Sequence, residues 1–224
     1  MTDGDGVFQA KGALTRAECA TWLRAVYEAR NDWTPCFDGV QFTLGRAYYT
    51  HLEEGRADEY FAAARASDAI VERALPGLQA RMRELLANLV GAPVAQRPGW
   101  CGPGLHIFPS GQWLSENGGD VHFDTEGLLE EQLAARRPAR SVIVMLQAPA
   151  RGGGLRVWSN VYDGDDQIAE PDRGPDIVID YDAGDLVAID SYRLHQIQPF
   201  EGSRDRVSIT VHLVHTDGGW HAWF

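Results

Sequence analysis

Cysteine is scarce in this chain, which has three among its 224 residues. Cys19, Cys36 and Cys101 are odd in number, lie far apart and form no Cys-x-x-Cys pair. A disulfide framework or a zinc site needs paired or clustered cysteines, so this spacing argues against both. We expect buried or free thiols, because an unpaired cysteine behaves as a small hydrophobic residue.

Basic residues and long apolar runs are also few. The chain has 20 Lys and Arg against 32 Asp and Glu, a formal net charge of −12. Binding to phosphates needs clustered basic residues, so we expect no nucleic-acid partner. No apolar run approaches the roughly 20 residues that cross a bilayer, and residues 1–5 lack the basic and apolar regions of a signal peptide. We therefore expect a cytoplasmic protein without a membrane partner, of unknown oligomeric state.

Size and composition indicate one globular unit. Hydrophobic residues are 44% of the chain and charged residues 23%, as in typical globular domains. A chain of 224 residues is long enough for one domain with a substantial core. We predict a single domain over residues 1–224, with a helical support over about 1–95 and a β core over about 96–224.

Helical patterns dominate the first part. Thr15 and Glu18 form a capping box before apolar residues at helical spacing, which predicts a helix over about 16–29. Residues 31–50 are irregular and rich in aromatic residues, which favours a loop with one or two short strands. Two further helices are predicted, near 57–66 and over about 71–90. Pro76 either kinks the second of these or lies in the first turn of a new helix.

From residue 105 onward the pattern changes to short strands separated by Gly, Pro and Asp, which is typical of a sandwich or barrel. The apolar run 141–147 predicts a strand that is buried on both faces. Further strands are predicted over 105–108, 155–158, 177–181, 186–189 and 206–215. Alternation along the last strand places four polar side chains on the face toward the barrel interior: Arg206, Ser208, Thr210 and His212.

The stretch 118–125 contains His122 and Asp124, which would share one face of an extended strand. Such a pair can offer two adjacent ligands to a divalent metal, but taken alone it fits a solvated strand end equally well. His195 adds a second imidazole, and two histidines with one carboxylate and an open side suit a non-haem Fe(II) site. The remaining histidines with no ligand role are expected at the surface or at a strand end, namely His51, His221 and His215.

Several motifs, in order along about residues 104–215, carry a resemblance to a known family. They are His122-Phe123-Asp124, Gly152-Gly153-Gly154-Leu155-Arg156-Val157-Trp158, the run from Gly184 to Val187 that leads to His195, His195-x-Ile197-x-Pro199, and Arg206-Val207-Ser208. In these residues the chain resembles the Fe(II)- and 2-oxoglutarate-dependent oxygenases, most closely the prolyl-4-hydroxylase-like branch. The resemblance implies a mainly β fold with N-terminal helices. Its core would be a double-stranded β-helix, a jelly-roll or cupin-like barrel of about eight strands in two sheets, with the helices along the larger sheet.

The resemblance also implies a catalytic iron site. His122, Asp124 and His195 would bind Fe(II), and 2-oxoglutarate and O2 would be cosubstrates. Arg206 suits the distal carboxylate of 2-oxoglutarate because its guanidinium pairs bidentately, and Ser208 can add a hydroxyl. Arg204 is a competing candidate for this carboxylate, because it would lie on the same face of the strand as Arg206. It lacks the Arg-x-Ser match and lies nearer the turn. Because Asp124 stands where halogenating members carry a small residue, hydroxylation or a related C–H oxidation is implied.

Further residues are expected to line the pocket, with Leu155, Phe108 and Met145 on the cosubstrate side. Phe108 stands where the family often has a tyrosine that binds 2-oxoglutarate, which leaves open whether His106 or another donor compensates. The substrate side is predicted to include His212, Trp113, Asn117, Tyr48 and Tyr49. A core position with a hydrogen bond to a neighbouring strand is equally open for His212, and the two tyrosines can instead pack over the edge of the core.

The sequence thus predicts a dioxygenase that hydroxylates or otherwise oxidises a C–H bond of a small molecule, either an amino acid or an amino-acid-derived metabolite. One alternative is a peptidyl-prolyl hydroxylase. Another is a cupin-type metal enzyme that does not use 2-oxoglutarate and so has no need of Arg206 and Ser208. The third is a jelly-roll binding module with a structural metal, which would hold zinc in a closed tetrahedral site.

Overall fold

The computed structural model describes residues 6–224, which form six α-helices and fourteen strands. The helices are α1 (Arg16–Glu28), α2 (Tyr48–Glu53), α3 (Ala57–Ala74), α4 (Leu78–Val90), α5 (Trp113–Asn117) and α6 (Glu130–Ala134). The strands of the first half are β1 (Val7–Ala10), β2 (Thr34–Cys36), β3 (Gln41–Leu44), β4 (Val94–Gln96) and β5 (Gly104–Phe108). Those of the second half are β6 (Ala139–Gln147), β7 (Arg151–Gly152), β8 (Leu155–Val161), β9 (Asp176–Ile179), β10 (Leu186–Asp190), β11 (Arg193–Ile197), β12 (Phe200–Glu201), β13 (Arg206–Thr216) and β14 (Gly219–Trp223).

Two sheets form the core. The larger has the strand order β1-β10-β6-β13-β5-β3-β2, with β14 paired to β13 and β4 paired to β14, and the smaller has the order β11-β8-β9. An apolar cluster joins them, because Ile143 and Met145 of the larger sheet pack with Leu155 and Val157 of the smaller one. Strands β7 and β12 form a separate short pair. This mainly β, two-sheet arrangement is the predicted fold class, with more strands than the eight expected.

The helices cover the outer face of the larger sheet, as predicted. Along β13, Val207, Ile209, Val211 and Leu213 point to that face and lie in one buried cluster with apolar residues of α1, α3 and α4. Alternate residues therefore point the other way, which places Arg206, Thr210 and His212 in the cavity between the sheets. The alternation along β13 thus places the core-packing side chains on one face of the strand and the cavity-lining polar side chains on the other.

Some predicted boundaries are wrong. The first helix after residue 57 does not end near 66 but runs as α3 to Ala74, and the break falls at residues 75–77, where Gly77 has a φ of 79°. Tyr48 and Tyr49 begin helix α2 rather than lying in a loop. Strands β2 and β3 are the short strands predicted within residues 31–50, and together with β1, which was not predicted, they join the larger sheet.

The capping box is present as predicted. The Thr15 hydroxyl accepts from the backbone N–H of Glu18 at 3.1 Å, and the Glu18 carboxylate accepts from the backbone N–H of Thr15 at 2.7 Å. All three cysteines are buried and free, which confirms the expectation for Cys19, Cys36 and Cys101. Within residues 6–224, no helix combines the length and the apolar character that a membrane crossing requires.

Candidate metal centre and adjoining cavity

The stretch 118–125 is an irregular segment and not the regular strand that the sequence suggests, because its one β-bridge joins His122 to His195. Backbone hydrogen bonds hold it antiparallel to β11: the N–H of His122 donates to the carbonyl of His195 at 3.1 Å, and the reverse bond is 2.9 Å. Gly118 permits the close approach, since its φ is 82° and an added Cβ would lie 2.7 Å from the carbonyl oxygen of Ile197. The segment therefore lies directly against the strand that carries His195.

The three predicted ligands converge. One donor atom from each of His122, Asp124 and His195 lies within 4.8 Å of the others. Nε2 of His122 is 3.4 Å from Oδ1 of Asp124, and Nε2 of His195 is 3.2 Å from Oδ2. Two imidazoles and a carboxylate on one side of a common point are the donor set that suits non-haem Fe(II).

The ring orientation of both histidines is fixed from behind. Nδ1 of His122 lies 2.9 Å from the backbone carbonyl of Asp120, and Nδ1 of His195 lies 2.9 Å from that of Arg193. A carbonyl oxygen only accepts, so each Nδ1 carries the proton in the neutral ring and each Nε2 keeps its lone pair for a metal. The hydrogen-bond pattern therefore assigns the tautomer that metal binding requires.

The charges of the three groups are coupled. Burial opposes ionisation of Asp124, but the adjacent His195 and His212 and the bonds to His122 and His195 outweigh it and hold the pKa of that carboxyl well below its usual value. Burial likewise opposes protonation of His122, but Asp124 raises the pKa of His122 to about 9. A cation at the common point would take the place of that proton.

A cavity of about 410 Å³ lies between the triad and the larger sheet. Arg206 lines its floor, is 1% exposed and belongs to no ion pair within the described residues 6–224. Its Nε donates to the carbonyl of Gly153 at 3.2 Å, one terminal nitrogen donates to the Ser208 hydroxyl at 3.2 Å, and the other donates to the Tyr181 hydroxyl. A guanidinium has five N–H donors, so one on each terminal nitrogen stays available as a fork.

The aromatic rings of Phe108 and Tyr181 both lie close to Arg206, with their centroids 5.4 and 5.5 Å from its guanidinium carbon. His106 is next to them: its ring stacks on Phe108 at 5.4 Å, it is 4% exposed, and its Nδ1 has no hydrogen-bond partner within residues 6–224. An unsatisfied buried polar atom is costly unless a ligand or water pairs with it. Tyr181 and His106 are thus the polar side chains next to Phe108, the position where a tyrosine hydroxyl is missing.

Comparison with solved structures relates the fold of this chain to that of known proteins. The carbocyclase SnoK from nogalamycin biosynthesis, described as non-haem and α-ketoglutarate dependent, aligns over 93% of this chain and 79% of its own with a TM-score of 0.62 and 14% identity. An N-substituted L-amino acid dioxygenase from Burkholderia ambifaria AMMD, solved with α-ketoglutarate, aligns over 98% and 86% with a TM-score of 0.59 and 14% identity. AviO1 from Streptomyces viridochromogenes Tue57 aligns over 96% and 91% with a TM-score of 0.59 and 15% identity.

The chain has the double-stranded β-helix fold of these oxygenases. Neither a protein-family model nor a curated protein matches the sequence. At identities of 14–15% the structural likeness concerns the fold, so the chemistry has to be argued from the side chains of this chain.

In this oxygenase fold, the cavity gathers most of the pocket residues that the sequence predicts. Leu155, Phe108, Trp113, Tyr49 and His212 all line it. Ser208 is buried directly beside Arg206.

Three other predicted pocket residues lie elsewhere, as does Arg204, the competing candidate for the role of Arg206. Tyr48 packs with Tyr60, Phe61 and Trp100 and does not reach the cavity wall. Asn117 lines only an adjoining outer groove, and its amide donates to the carbonyl of Trp113. Met145 is buried in the apolar cluster between the sheets. Arg204 is exposed and donates to the carbonyl of Pro149, outside the cavity.

His212 satisfies both interpretations that the sequence leaves open. It lines the cavity, and its Nδ1 lies 3.2 Å from the hydroxyl of Ser141 on the neighbouring strand β6. Its ring stacks on Trp223 with a centroid distance of 5.7 Å. The side chain is therefore both hydrogen-bonded in the wall and available to a ligand.

The surface prediction for His51 is wrong. His51 is fully buried in α2, where Nδ1 lies 2.9 Å from the carbonyl of Ala47 and Nε2 lies 2.7 Å from Arg46. Burial lowers the pKa of His51. His221 is half-buried beside Thr216, and His215 packs against Trp220, so neither approaches the triad.

Sequence reasoning missed the acidic side chains of the cavity, which are Glu53, Asp120 and Glu126. They come from the end of α2 and from the segment around the triad, so no spacing rule connects them. Burial and then Asp124 raise the pKa of Glu126 to about 7. It also missed Tyr181, whose contact with Arg206 joins the segment after β9 to the start of β13.

Proposed function

We propose that this protein is an Fe(II)- and 2-oxoglutarate-dependent dioxygenase that oxidises a C–H bond of a small molecule. The observation that carries the proposal is Arg206, a fully buried cation without a carboxylate partner in residues 6–224, on the same cavity as the triad. An unpaired buried charge is strongly unfavourable, so the cavity is suited to an anion that comes from outside. A dicarboxylate can reach both Arg206 and a metal at the triad.

The residues present fit iron. His122, Asp124 and His195 would bind it, and their backbone partners already orient both imidazoles. Three protein ligands leave coordination positions for small molecules, whereas a structural zinc would need a fourth protein ligand. When bound, iron and 2-oxoglutarate supply the oxidising chemistry, consuming O2 and releasing succinate and carbon dioxide.

The chain's own residues would bind and orient the cosubstrate. The free fork of Arg206 matches a carboxylate, and Ser208 and Tyr181 hold the guanidinium in place. Leu155 and Phe108 provide an apolar wall that keeps water from that ion pair. A cupin-type enzyme without 2-oxoglutarate would have no use for this buried arginine.

The substrate is proposed to be an amino acid or an amino-acid-derived metabolite. The dioxygenase from Burkholderia ambifaria acts, by its description, on N-substituted L-amino acids, which supports a substrate of that size. The single-domain organisation, the cytoplasmic location and the absence of nucleic-acid and membrane partners stay predictions from the sequence.

The test is succinate formation from 2-oxoglutarate by the Fe(II)-loaded protein under air, with a panel of amino acids and derived metabolites. Succinate should form slowly without substrate and faster with an accepted one. His195→Ala should abolish it, while His215→Ala, which alters a histidine remote from the triad, should not. Wild-type protein that loads iron yet forms no succinate under any of these conditions would contradict the proposal.

A further inference from the structure

The outer part of the cavity is acidic. Glu53, Asp120 and Glu126 line it around His122; the first two are exposed and Glu126 is half-buried. Within residues 6–224 no Lys or Arg forms an ion pair with any of them. We call these three side chains the acidic rim.

Basic groups near the rim are few. Arg206 is the one Lys or Arg among the described residues that line the cavity, and it lies on the floor, where the cosubstrate carboxylate would neutralise it. The adjoining outer groove adds Arg173, which lies over the Trp158 ring at 5.5 Å and faces a groove that also contains Asp166. The Asp and Glu side chains that an entering molecule meets therefore outnumber the Lys and Arg side chains.

A second observation is a buried polar side chain in the cavity lining. His106 lines it, is 4% exposed, and its Nδ1 has no hydrogen-bond partner within residues 6–224. Burial lowers the pKa of His106 to about 3, so this ring adds no positive charge that could offset the rim. An unpartnered nitrogen on a buried ring in the cavity lining is costly unless a ligand or water pairs with it.

Aromatic groups accompany the rim carboxylates. Trp113 is 52% exposed and lines both the cavity and the outer groove beside Asp120. Phe37 lines the cavity with a φ of 51°, and its backbone N–H is held by the Glu54 carboxylate at 2.7 Å. Left-handed backbone at a non-glycine residue is a cost that clusters at ligand sites. Carboxylates next to exposed aromatic faces recognise ammonium groups.

We propose that the substrate carries a cationic nitrogen that lies against the acidic rim, with its apolar part among the aromatic side chains of the cavity. This inference rests on the function proposed above and narrows its substrate class. Among amino-acid-derived metabolites, it selects amines over acids and over neutral amides. A C–H bond on the apolar part of the substrate would then lie toward a metal held by the triad.

The experiment compares three probes that differ in charge: 4-phenylbutylamine, its N-acetyl derivative and 5-phenylpentanoate. Their binding to protein loaded with Mn(II) and 2-oxoglutarate is measured by calorimetry. The amine should bind most tightly and the acid most weakly. Glu53→Gln should weaken amine binding roughly fivefold and leave the neutral probe unchanged, as expected for one partly exposed ion pair. Glu28→Gln, an exposed change on α1 away from the cavity, is the matched control.

Equal or tighter binding of the acid would overturn the inference, as would an identical effect of Glu53→Gln and Glu28→Gln. The same titrations on protein without metal and 2-oxoglutarate separate the two proposals. If 2-oxoglutarate does not bind to the metal-loaded protein, the proposed function fails, and the preference among the probes still tests the rim. If 2-oxoglutarate binds and is turned over but the amine has no advantage, the inference about the substrate fails alone.

Discussion

Nε2 of His195 faces Oδ2 of Asp124 at 3.2 Å, with its Nδ1 held by the carbonyl of Arg193 at 2.9 Å. The ring is thus oriented from behind by the backbone, with Nε2 directed at the carboxylate. His122 repeats the arrangement on the other oxygen of Asp124. An irregular segment and a strand from different parts of the chain therefore place three donor atoms around one point.

Replacing His122 by alanine should abolish stoichiometric Fe(II) binding. The His122 side chain is 42% exposed, so its removal leaves no buried cavity and the melting temperature should change little. Metal content after dialysis and a thermal melt measure the two effects. His221→Ala is the control, because that half-buried ring lies beside Thr216 and outside the triad. Retention of one iron per chain in His122→Ala would show that the ligand set is wrong.

Tyr181→Phe should weaken 2-oxoglutarate binding without unfolding the protein. The hydroxyl accepts from one terminal nitrogen of Arg206, and its loss frees the guanidinium to turn away from the carboxylate. One hydrogen bond to a charged group is worth about 1.5–3 kcal/mol, or roughly 10-fold or more in the dissociation constant. Calorimetry with the Mn(II)-loaded protein measures it. Tyr192→Phe, whose hydroxyl bonds to the carbonyl of Arg137 at 3.1 Å, is the control. Equal affinities in wild type and Tyr181→Phe would remove Tyr181 from the site.

The fold was largely predictable from local signals. The capping box at Thr15 and Glu18 predicts where α1 begins, and the alternation along 206–215 predicts which face of β13 enters the cavity. Errors arose where tertiary contacts override local pattern. His51 reads as polar surface, yet α2 buries it through bonds to Ala47 and Arg46.

The candidate site likewise has residues that local motifs predict and residues that only tertiary contacts bring together. His122 and Asp124 lie two residues apart in one short motif, so both could be proposed as metal ligands from the sequence. Tyr181 could not be predicted as a site residue, because its contact with Arg206 depends on how the segment after β9 lies against the start of β13. The acidic rim was missed for the same reason, since Glu53 reaches the cavity only through the placement of α2.

Asp185 should make stability depend on acid pH. It is 4% exposed and accepts from Lys11 at 2.7 Å and from the backbone N–H groups of Gly12 and Asp182 at 3.0 and 2.9 Å. Burial opposes its ionisation, but these bonds outweigh it and lower the pKa of Asp185. A carboxyl whose pKa is lower in the folded state stabilises the fold above its unfolded pKa of about 3.9, and this contribution is lost as pH falls through the folded value.

The matching variant is Asp185→Asn. It should lower the free energy of unfolding by about 2 kcal/mol at pH 7, mostly through the backbone N–H bonds, because Lys11 is exposed. The difference from wild type should shrink between about pH 5 and pH 2. Denaturant titrations across that range measure it, with the exposed Asp182→Asn as control. A difference that is constant with pH would contradict the assignment.

His212→Phe should change substrate affinity more than stability. The ring lines the cavity, and the Ser141 hydroxyl that it meets keeps a second partner in Ser191 at 3.0 Å. Loss of one hydrogen bond predicts about 1 kcal/mol of destabilisation. Iron content should not change. A large drop in melting temperature with unaltered substrate affinity would make His212 a structural residue, and lost iron would revise the ligand set.

The most direct test of the account is the binding of 2-oxoglutarate to anaerobic Fe(II)-loaded protein, measured by calorimetry in wild type and in Arg206→Ala. Arg206 is buried and has no other carboxylate partner within residues 6–224, so its loss should weaken binding by about 3–5 kcal/mol, roughly 100-fold or more. Arg204 is exposed and lies two residues before Arg206, so the control variant Arg204→Ala should bind 2-oxoglutarate like wild type. Equal 2-oxoglutarate affinity in wild type and Arg206→Ala would contradict the account.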